Sequence, residues 1–580
     1  MLETLAATEL AQGDSVWWAL LRIAIVLGFV LAIVPGLIWW ERRLLSWFQD
    51  RIGPNRVGPF GLLQPIADGV KLFFKEDITP ATVDRLLYFI APAIALFPAF
   101  AIWATIPWGP DRRLTPIADV DVGILYILAI SSLGVYGLFL GGWASNNKYS
   151  LLGGLRSAAQ MVSYELAMGV SLGCVILATG SLRLTEVVSM QFEPLWGVVP
   201  WMQNWFILTP WGFVAGIIFL ITMVAETNRA PFDLPEAESE LISGFHTEYS
   251  SMKFAVFFMG EYATMLAFSG IFAAVFLGGW SPLPLNWEFL ALRANDAGLP
   301  WLASALSFIG GPIAAPIWMV GKMFGGITFY VWLRATLPRL RYDQLMNLGW
   351  KYLLPIAALN FVVVAIWMQF GWFALLGALV VLLLLYINVV VFHARAGEAA
   401  SANGEEYRGE PLMSVGVVVF LLMATVIVLS AWGVVVARNA VRSALSLVIN
   451  FFTLALLYFG MHYDLLGISQ ILVYTGFIMM LFLFCILLLN LGAPDTLFEP
   501  SLIKRSIAWF TGGVLVLAVA SQVIGPLAVA DAGPSAPEGF GEAASVGTAL
   551  FTGWVYAFEI ASVLLLVGIV GSILVAKRRD

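Results

Sequence analysis

Apolar residues run almost without interruption through most of this chain, and the polar ones gather in short intervals between the runs. The first run, Val16 to Trp40, is followed at once by Glu41, Arg42 and Arg43. Runs of about 18 or more apolar residues predict helices that cross a bilayer. Further runs fall at about Leu86 to Trp108, Val122 to Trp143, a span holding Glu165 after NNKYSLLGGLRSAAQ, Pro210 to Glu226 and Phe254 to Trp280. Ala303 to Leu333 follows, rich in Gly and Pro and therefore expected to kink, and then two shorter runs, Tyr352 to Trp367 and Phe373 to Phe392. Residues 394–411 are small and polar, with glycines and Pro411, and read as a linker. Beyond it, spans are expected at about 413–436, 443–461, 466–490, 506–529 and 547–575. The fold class is all-α, a polytopic integral membrane helical bundle of about 13–14 transmembrane helices. Continuous runs exclude a transmembrane β-barrel, whose strands alternate with period two.

Composition agrees with that pattern. Of 580 residues, 60% are hydrophobic and 12% charged, with a mean hydropathy of +0.89. The 2 cysteines, Cys174 and Cys485, sit inside apolar runs, and the 3 histidines (His246, His393, His462) are scattered, so no disulfide framework or metal-ligand set is expected. Electrons handled by this protein are therefore not expected to pass through metals of its own. The net charge of −7 says little about partners, because the signs segregate by loop, and nothing points to nucleic acid. Met1 to Asp14 is polar and the first run is long enough to remain in the membrane, so no cleavable signal is expected.

Basic residues set the orientation. Arg42 and Arg43 after the first run, Lys148 and Arg156, and the loop RATLPRLRYDQLMNLGWK place those loops in the cytoplasm and the amino terminus outside. Two rules then conflict. Hydropathy counts about nine spans before the linker, leaving it inside, whereas RNAVR and the terminal KRRD want the second half to begin outside. Either a segment within 352–392 does not cross, or the charge bias fails, or the two halves are separate polypeptides.

Residues 41–85 hold 7 Lys/Arg and 6 Asp/Glu. This interval reads either as a solvated anchoring loop or as the frame of a lateral opening. In RIGPNRVGPFGLLQPIADGVKLFFKED the prolines and glycines force a turn. Gly61 to Phe74 then places Leu62, Leu63, Ile66, Val70 and Phe73 on one face, as in an amphipathic helix lying along the membrane surface.

Polar chemistry is densest in AETNRAPFDLPEAESELISGFHTEYSS, residues 225–251, with 6 carboxylates: Glu226, Asp233, Glu236, Glu238, Glu240 and Glu248. Asp233 ahead of Pro235 predicts a helix start, with Glu236 and Glu238 suiting the dipole of its first turn. One continuous helix would align Asp233, Glu236 and Glu240 on one face. Carboxylates crowded in this way cannot all ionise cheaply, which suits a proton relay. Glu165 inside the fourth span costs about 2.5 kcal/mol or more if bare, so it is expected to be paired, protonated or hydrated, unless it merely snorkels to the interface. The sixth span carries Glu261 about two turns in. Asp464 and Glu559 stand out in the second half.

With these residues in place, residues 1–393 resemble the H-type membrane component of the proton-pumping NADH:quinone oxidoreductase, respiratory complex I. The resemblance rests on ERRLLSWFQDRIGPNRVGPFGLLQPIADGVKLFFKED, GGWASNNKYSLLGGLRSAAQMVSYE, AETNRAPFDLPEAESELISGFHTEYSSMKFAVFFMGEY and RATLPRLRYDQLMNLGWK, in that order. Residues 413–580 resemble the J-type component of the same complex, through RNAVRSALSLVINFFTLALLYFG and SQILVYTGFIMMLFLF, with 394–412 as the join. The resemblance implies a translocase component of the bacterial inner membrane, acting on a quinone (ubiquinone or menaquinone). It implies partners among peripheral iron–sulfur subunits, antiporter-like membrane subunits and lipid. It places Arg51, Arg56, Arg229, Asp233 and Lys253 along a quinone chamber or its loops. Glu165, Glu226, Glu236, Glu238, Glu240, Glu248 and Glu261 would form an acidic proton path. In the J-like half it implies a distorted helix turn at Tyr474 and Gly476, with Asp464 nearby, although bulky Phe477 stands where relatives have a small residue. Competing readings are the membrane component of a related non-NADH dehydrogenase or hydrogenase, which the J-like half disfavours, and a stand-alone ion transporter, for which an internal repeat would be expected and none is found.

Overall fold

The computed structural model describes residues 16–110, 116–197, 199–235, 238–368, 415–437, 440–461, 463–488, 541 and 543–576. Two compact units emerge, one within Leu2–Leu382 and one within Leu383–Asp580. Among the described residues, 9 helices are long and apolar enough to cross a membrane. The expected span 373–392, the whole linker and the span 506–529 lie outside the described residues.

In the first unit α1 (Val16–Phe48) is 33 residues long, about 50 Å, so it outruns a hydrocarbon core of about 30 Å and carries Glu41 beyond the expected end at Trp40. The helix α2 (Gln64–Phe74) follows. Its apolar residues are left uncovered: Ile66 is 58%, Val70 52% and Phe73 67% exposed, as a face turned to lipid would be. Next come α3 (Arg85–Ala101) and α4 (Gly123–Ala144). Their backbones touch at Gly137, where a Cβ would strike the Ala95 backbone, a close approach that only glycine allows.

The longest central helix, α5 (Lys148–Thr179), is capped by Asn147, whose side chain accepts from the Tyr149 amide, and ends at left-handed Gly180. A short α6 (Leu184–Met190) leads into a hairpin of β1 (Pro194–Leu195) and β2 (Val199–Gln203). Strands this short leave no alternation to read in the sequence. Thr209 caps α7 (Pro210–Glu226) by accepting from the Gly212 amide, with Pro210 at the first helical position.

After α7 comes the acidic loop, a minimal helix α8 (Glu238–Leu241) and α9 (Ser251–Phe276). The expected seventh span is broken rather than kinked: α10 (Trp287–Asp296) and α11 (Pro300–Ile309) precede α12 (Ala315–Thr336), and the chain breaks around Gly310, Gly311 and Pro312. Last in this unit is α13 (Tyr342–Met368), which starts ten residues earlier than the apolar run and contains a π-helical stretch, Leu348–Leu353. The helices α4, α5 and α9 form the centre, with 61–72% of their apolar windows buried. α1 and α13, at 28% and 22%, lie at the edge.

The second unit contains α14 (Val415–Val436), α15 (Ala440–Gly460), α16 (Asp464–Ile486), α17 (Ala543–Thr552) and α18 (Val555–Ala576). A π-helical stretch, Gln470–Ile478, interrupts α16 and includes Tyr474 and Gly476. Within it the Thr475 hydroxyl donates to the carbonyl of Gln470, five residues back, 3.3 Å away, as a widened turn allows. Gly476 is buried and Tyr474 is 47% exposed, its ring 5.9 Å from that of Phe451. Asp464 opens α16 in its first turn, where a carboxylate complements the helix dipole, and Glu559 lies exposed on α18.

Candidate functional site

The acidic loop does not become the helix expected from Asp233. Its backbone is held by side chains instead. Gln160 on α5 donates to the carbonyls of Ala225 and Phe232, each at 2.7 Å, and to the Asn228 side chain at 3.1 Å. Asn228, in a left-handed conformation at φ 51, donates in turn to Ser157 at 3.3 Å, and Arg339 donates to the carbonyl of Asp233. Pro231 also keeps α7 from running on into this interval, because it has no amide to donate to the i−4 carbonyl. Asp233 lies outside any helix and Glu240 within the short helix α8, so the two do not share a helical face. Glu236 lies outside the described residues, and Glu238 is placed by its backbone alone.

This clamp turns Arg229 inward. Its Nε meets Glu261 of α9 at 2.5 Å and its Nη1 approaches Glu41 of α1 at 3.6 Å. Glu41 also pairs with Arg334 of α12 and accepts from the Tyr262 hydroxyl at 2.5 Å. The Arg229 guanidinium lies 4.4 Å from the Tyr262 ring centre. The side chains of Glu41 and Arg229 are only 4% and 10% exposed. Two acids and two arginines thus balance in a cluster drawn from four segments, with Glu41 and Arg229 at its buried end and Arg334 at its open edge, as burial of charge requires. Nothing in the local sequence singles out Glu41, Tyr262 or Arg334. Glu41 in particular reads there as part of a solvated charged flank, and only the extra two turns of α1 reveal it.

A second buried group is Glu165 on α5 with Glu226 at the end of α7, 2% and 3% exposed. Among the described residues the Glu226 carboxylate has no hydrogen-bond partner, Ser131 of α4 stands beside Glu165, and the two carboxylates interact electrostatically. Like charges so deep are expensive to hold together, so a proton or water must satisfy them. Glu165 is therefore buried in the bundle and does not snorkel.

Between the two groups lies a cavity of about 80 Å³, bordered by Glu226, Glu261, Ser131, Asn228 and His246 and walled by Phe254, Phe257, Phe258 and Phe268. One water needs roughly 10–15 Å³ of such space, so several fit, whereas small-molecule sites run to about 300–1,000 Å³. The cavity suits water and is too small for a quinone ring. A larger recess, of about 370 Å³, opens at the end of α1 between Arg42, Leu45, Ser46, Arg51, Ile52, Gly53 and Pro54.

The remaining candidate residues lie at the rim. Lys253 pairs with Asp77 at 2.9 Å and covers the rings of Tyr88 and Phe89. Asn147 donates to Glu248 at 2.6 Å. Arg156 meets Glu240 at 2.5 Å, that carboxylate being 51% exposed, and Arg339 meets Asp233 at 3.4 Å. Arg42 bridges α1 to α2 through Asp68 at 2.6 Å. Arg51 and Arg56 are exposed, and neither reaches the buried cluster. Nearby Tyr249, outside the spans, has its phenol pushed above the usual range by burial and by stacked Tyr88, and it serves as a donor to the Tyr88 carbonyl. Among the described residues no group of three or more His, Cys, Asp or Glu is placed to hold a metal.

Comparison with known proteins adds an independent line. The family model described as NADH dehydrogenase matches residues 21–365, and that of NADH-ubiquinone/plastoquinone oxidoreductase chain 6 matches residues 430–575. Among curated relatives, the H-type component of the NADH-quinone oxidoreductase of Magnetococcus marinus is 48% identical over 348 residues, 60% of this chain and 90% of that protein. Its counterpart from Geobacter metallireducens is 45% identical over 363 residues, 62% and 96% of the two proteins. That of Burkholderia ambifaria is 46% identical over 355 residues, 61% and 92%.

Proposed function

The chain belongs to the NADH dehydrogenase family, matched over residues 21–365, and from that premise we propose that it forms the quinone-facing, proton-handling part of a proton-translocating NADH:quinone oxidoreductase. It is a membrane component of that oxidoreductase, H-like with a J-like carboxyl-terminal part, and it crosses the bacterial inner membrane several times. The finer assignment divides it into a quinone-chamber domain at 1–393, a linker at 394–412 and a coupling domain at 413–580. Its substrate is a quinone, and its partners are the complex I subunits that carry iron–sulfur clusters, the antiporter-like subunits and lipid.

One observation carries the reading. Glu41 and Glu261 share Arg229, Glu261 and Glu226 border the same water-sized cavity, and Glu226 faces Glu165. Four acids from four helices are thereby strung through an otherwise apolar bundle, and intramembrane acids are costly enough to mark proton routes. The recess at Arg42 and Arg51, beside the uncovered face of α2, is of a size for a ring system arriving from lipid.

In this reading, quinone reduction at the chamber alters the charge balance around Arg229 and Glu41. Glu261 feels that change directly, and the waters of the cavity pass a proton between it and the Glu226–Glu165 pair. Moving one charge against about 180 mV costs roughly 4 kcal/mol, equivalent to about three pKa units. Several coupled acids can supply that by shifting populations, with no single residue acting as the pump. The widened turn at Tyr474 and Gly476, with Asp464 at its foot, is the coupling element of the J-like half. Glu236, Glu238, Glu240, Glu248, Arg51, Arg56, Asp233 and Lys253 supply the rim through which protons and quinone approach.

The test replaces Glu165 by Gln in the assembled complex and measures quinone reduction together with proton pumping. Pumping should fall while reduction in uncoupled membranes persists. Wild-type values for both would end the relay role of that residue, and Glu240→Gln, at the exposed rim, should have the smaller effect.

A further inference from the structure

The far end of α9 is closed by side chains that the proton path does not use. Two residues hold its last turn. Gln191 donates to the Ala274 carbonyl at 2.8 Å and accepts from the Gly278 amide at 2.9 Å. Lys322, part-buried on α12, donates from Nζ to the carbonyls of Leu277 and of Gly279, the latter at 2.8 Å. Its ammonium stands 4.2 Å over the ring of Trp205, whose Nε1 donates to Gln203 at 3.1 Å. Gly278 and Gly279 both have positive φ, and a Cβ on Gly278 would strike Trp205, so the turn closes tightly against that ring. Among the described residues Lys322 meets carbonyls and an indole, and no carboxylate pairs with it.

The position of this cation matters. The basic loop RATLPRLRYDQLMNLGWK at the other end of α12 faces the cytoplasm, and Lys322 lies in the first half of that helix, so it sits toward the outer side. From Phe268, at the border of the acid-lined cavity, to Leu277 is about 14 Å along α9. That distance is filled by Phe219, Phe268, Phe272 and Phe276, whose ring centres lie 5.7–6.5 Å from Phe219. The terminal carbonyls of a helix carry its negative dipole end and, left free, recruit water or hydrated protons. In its ammonium form Lys322 both occupies those acceptors and raises a barrier to incoming cations, as cationic side chains do in selective pores.

We propose that Lys322 is an electrostatic stopper, whose ammonium seals the outer end of α9 against protons entering from the outer side toward the acid-lined cavity. Its purpose rests on the proton-path reading above, but its action can be measured without turnover. A second consequence is directional: protons held by Glu226 and Glu261 exchange away from this end.

The experiment reconstitutes the intact complex in liposomes containing a pH dye, imposes a potassium diffusion potential with valinomycin, and follows proton entry with no NADH present. Lys322→Gln keeps an amide donor for the carbonyls and removes the charge; Lys322→Arg keeps the charge. The Gln variant should raise passive proton entry about tenfold, the factor for about 1.4 kcal/mol of barrier, with the Arg variant within about twofold of wild type and NADH:quinone activity retained in both. A Gln variant as tight as wild type would overturn the proposal. So would equal leaks from Gln and Arg, or parallel escape of an entrapped dye, since either reports loosened packing rather than a missing charge. If Lys322→Gln leaks while Glu165→Gln pumps normally, the stopper stands and the relay falls.

Discussion

The buried cluster at Glu41 makes a quantitative prediction that geometry alone would get wrong. Arg334 makes the shorter contact with Glu41, Arg229 the longer one at 3.6 Å. Arg334, however, is 45% exposed, while Arg229 is 10% exposed. At 3.6 Å and an effective dielectric of about 20, the Arg229 pair is worth about 5 kcal/mol of Coulomb energy before desolvation, and breaking a buried pair costs about 3–5 kcal/mol. The Arg334 pair is open to solvent, where a contact pair gives about 1 kcal/mol. The longer contact should therefore be the stronger. Double-mutant cycles of Glu41→Gln with Arg229→Gln and with Arg334→Gln separate the two. An assembly of this size is not two-state, so the readout is the rate of irreversible thermal inactivation. Couplings of about 3 and about 1 kcal/mol correspond to factors of up to about 150 and about 5 in rate. Equal couplings, or none with Arg229, would refute the assignment of the buried pair.

Other consequences follow from the same packing. Tyr262→Phe removes the donor to the second oxygen of Glu41 and should cost about 1.5–3 kcal/mol in the same inactivation assay. Gln160→Leu leaves the carbonyl of Phe232 unpaired and takes one of its donors from that of Ala225, which keeps the Asn228 amide, so the acidic loop should open to limited proteolysis and stability should fall by about 1–3 kcal/mol. Lys253→Gln breaks a pair whose carboxylate, Asp77, is 48% exposed; inactivation should change by less than about 1 kcal/mol, and the difference should shrink as salt rises.

The amino-acid sequence made most of the bundle legible, because lipid imposes long apolar runs and basic flanks mark their ends. Pro210–Glu226 agrees to the residue with its expected span, since Thr209 and Pro210 are a cap and a first-turn residue that can be read directly. The end of α1 and the start of α13 are not legible in the same way, since amphipathic helical turns at the membrane surface look like loop in a hydropathy reading. That is why Glu41 reads as a flank. Glu165 and Glu261 stand out from their spans by charge alone, but their partners do not. Arg229 finds Glu261 and Glu41 only because Gln160 and Asn228 fold the loop inward, a tertiary effect with no local signature. The same effect overrides the helix start at Asp233 and Pro235, where side-chain donors take the carbonyls that a helix would have used.

The central claim is that acids inside the bundle change protonation when quinone is reduced. The most direct measurement is the reduced-minus-oxidised infrared difference spectrum of the intact complex in the region of the protonated carboxyl stretch. A band should appear on quinone reduction and vanish in both Glu226→Gln and Glu165→Gln, while Lys253→Gln leaves it in place. A spectrum identical in wild type and in both glutamate variants would contradict the account.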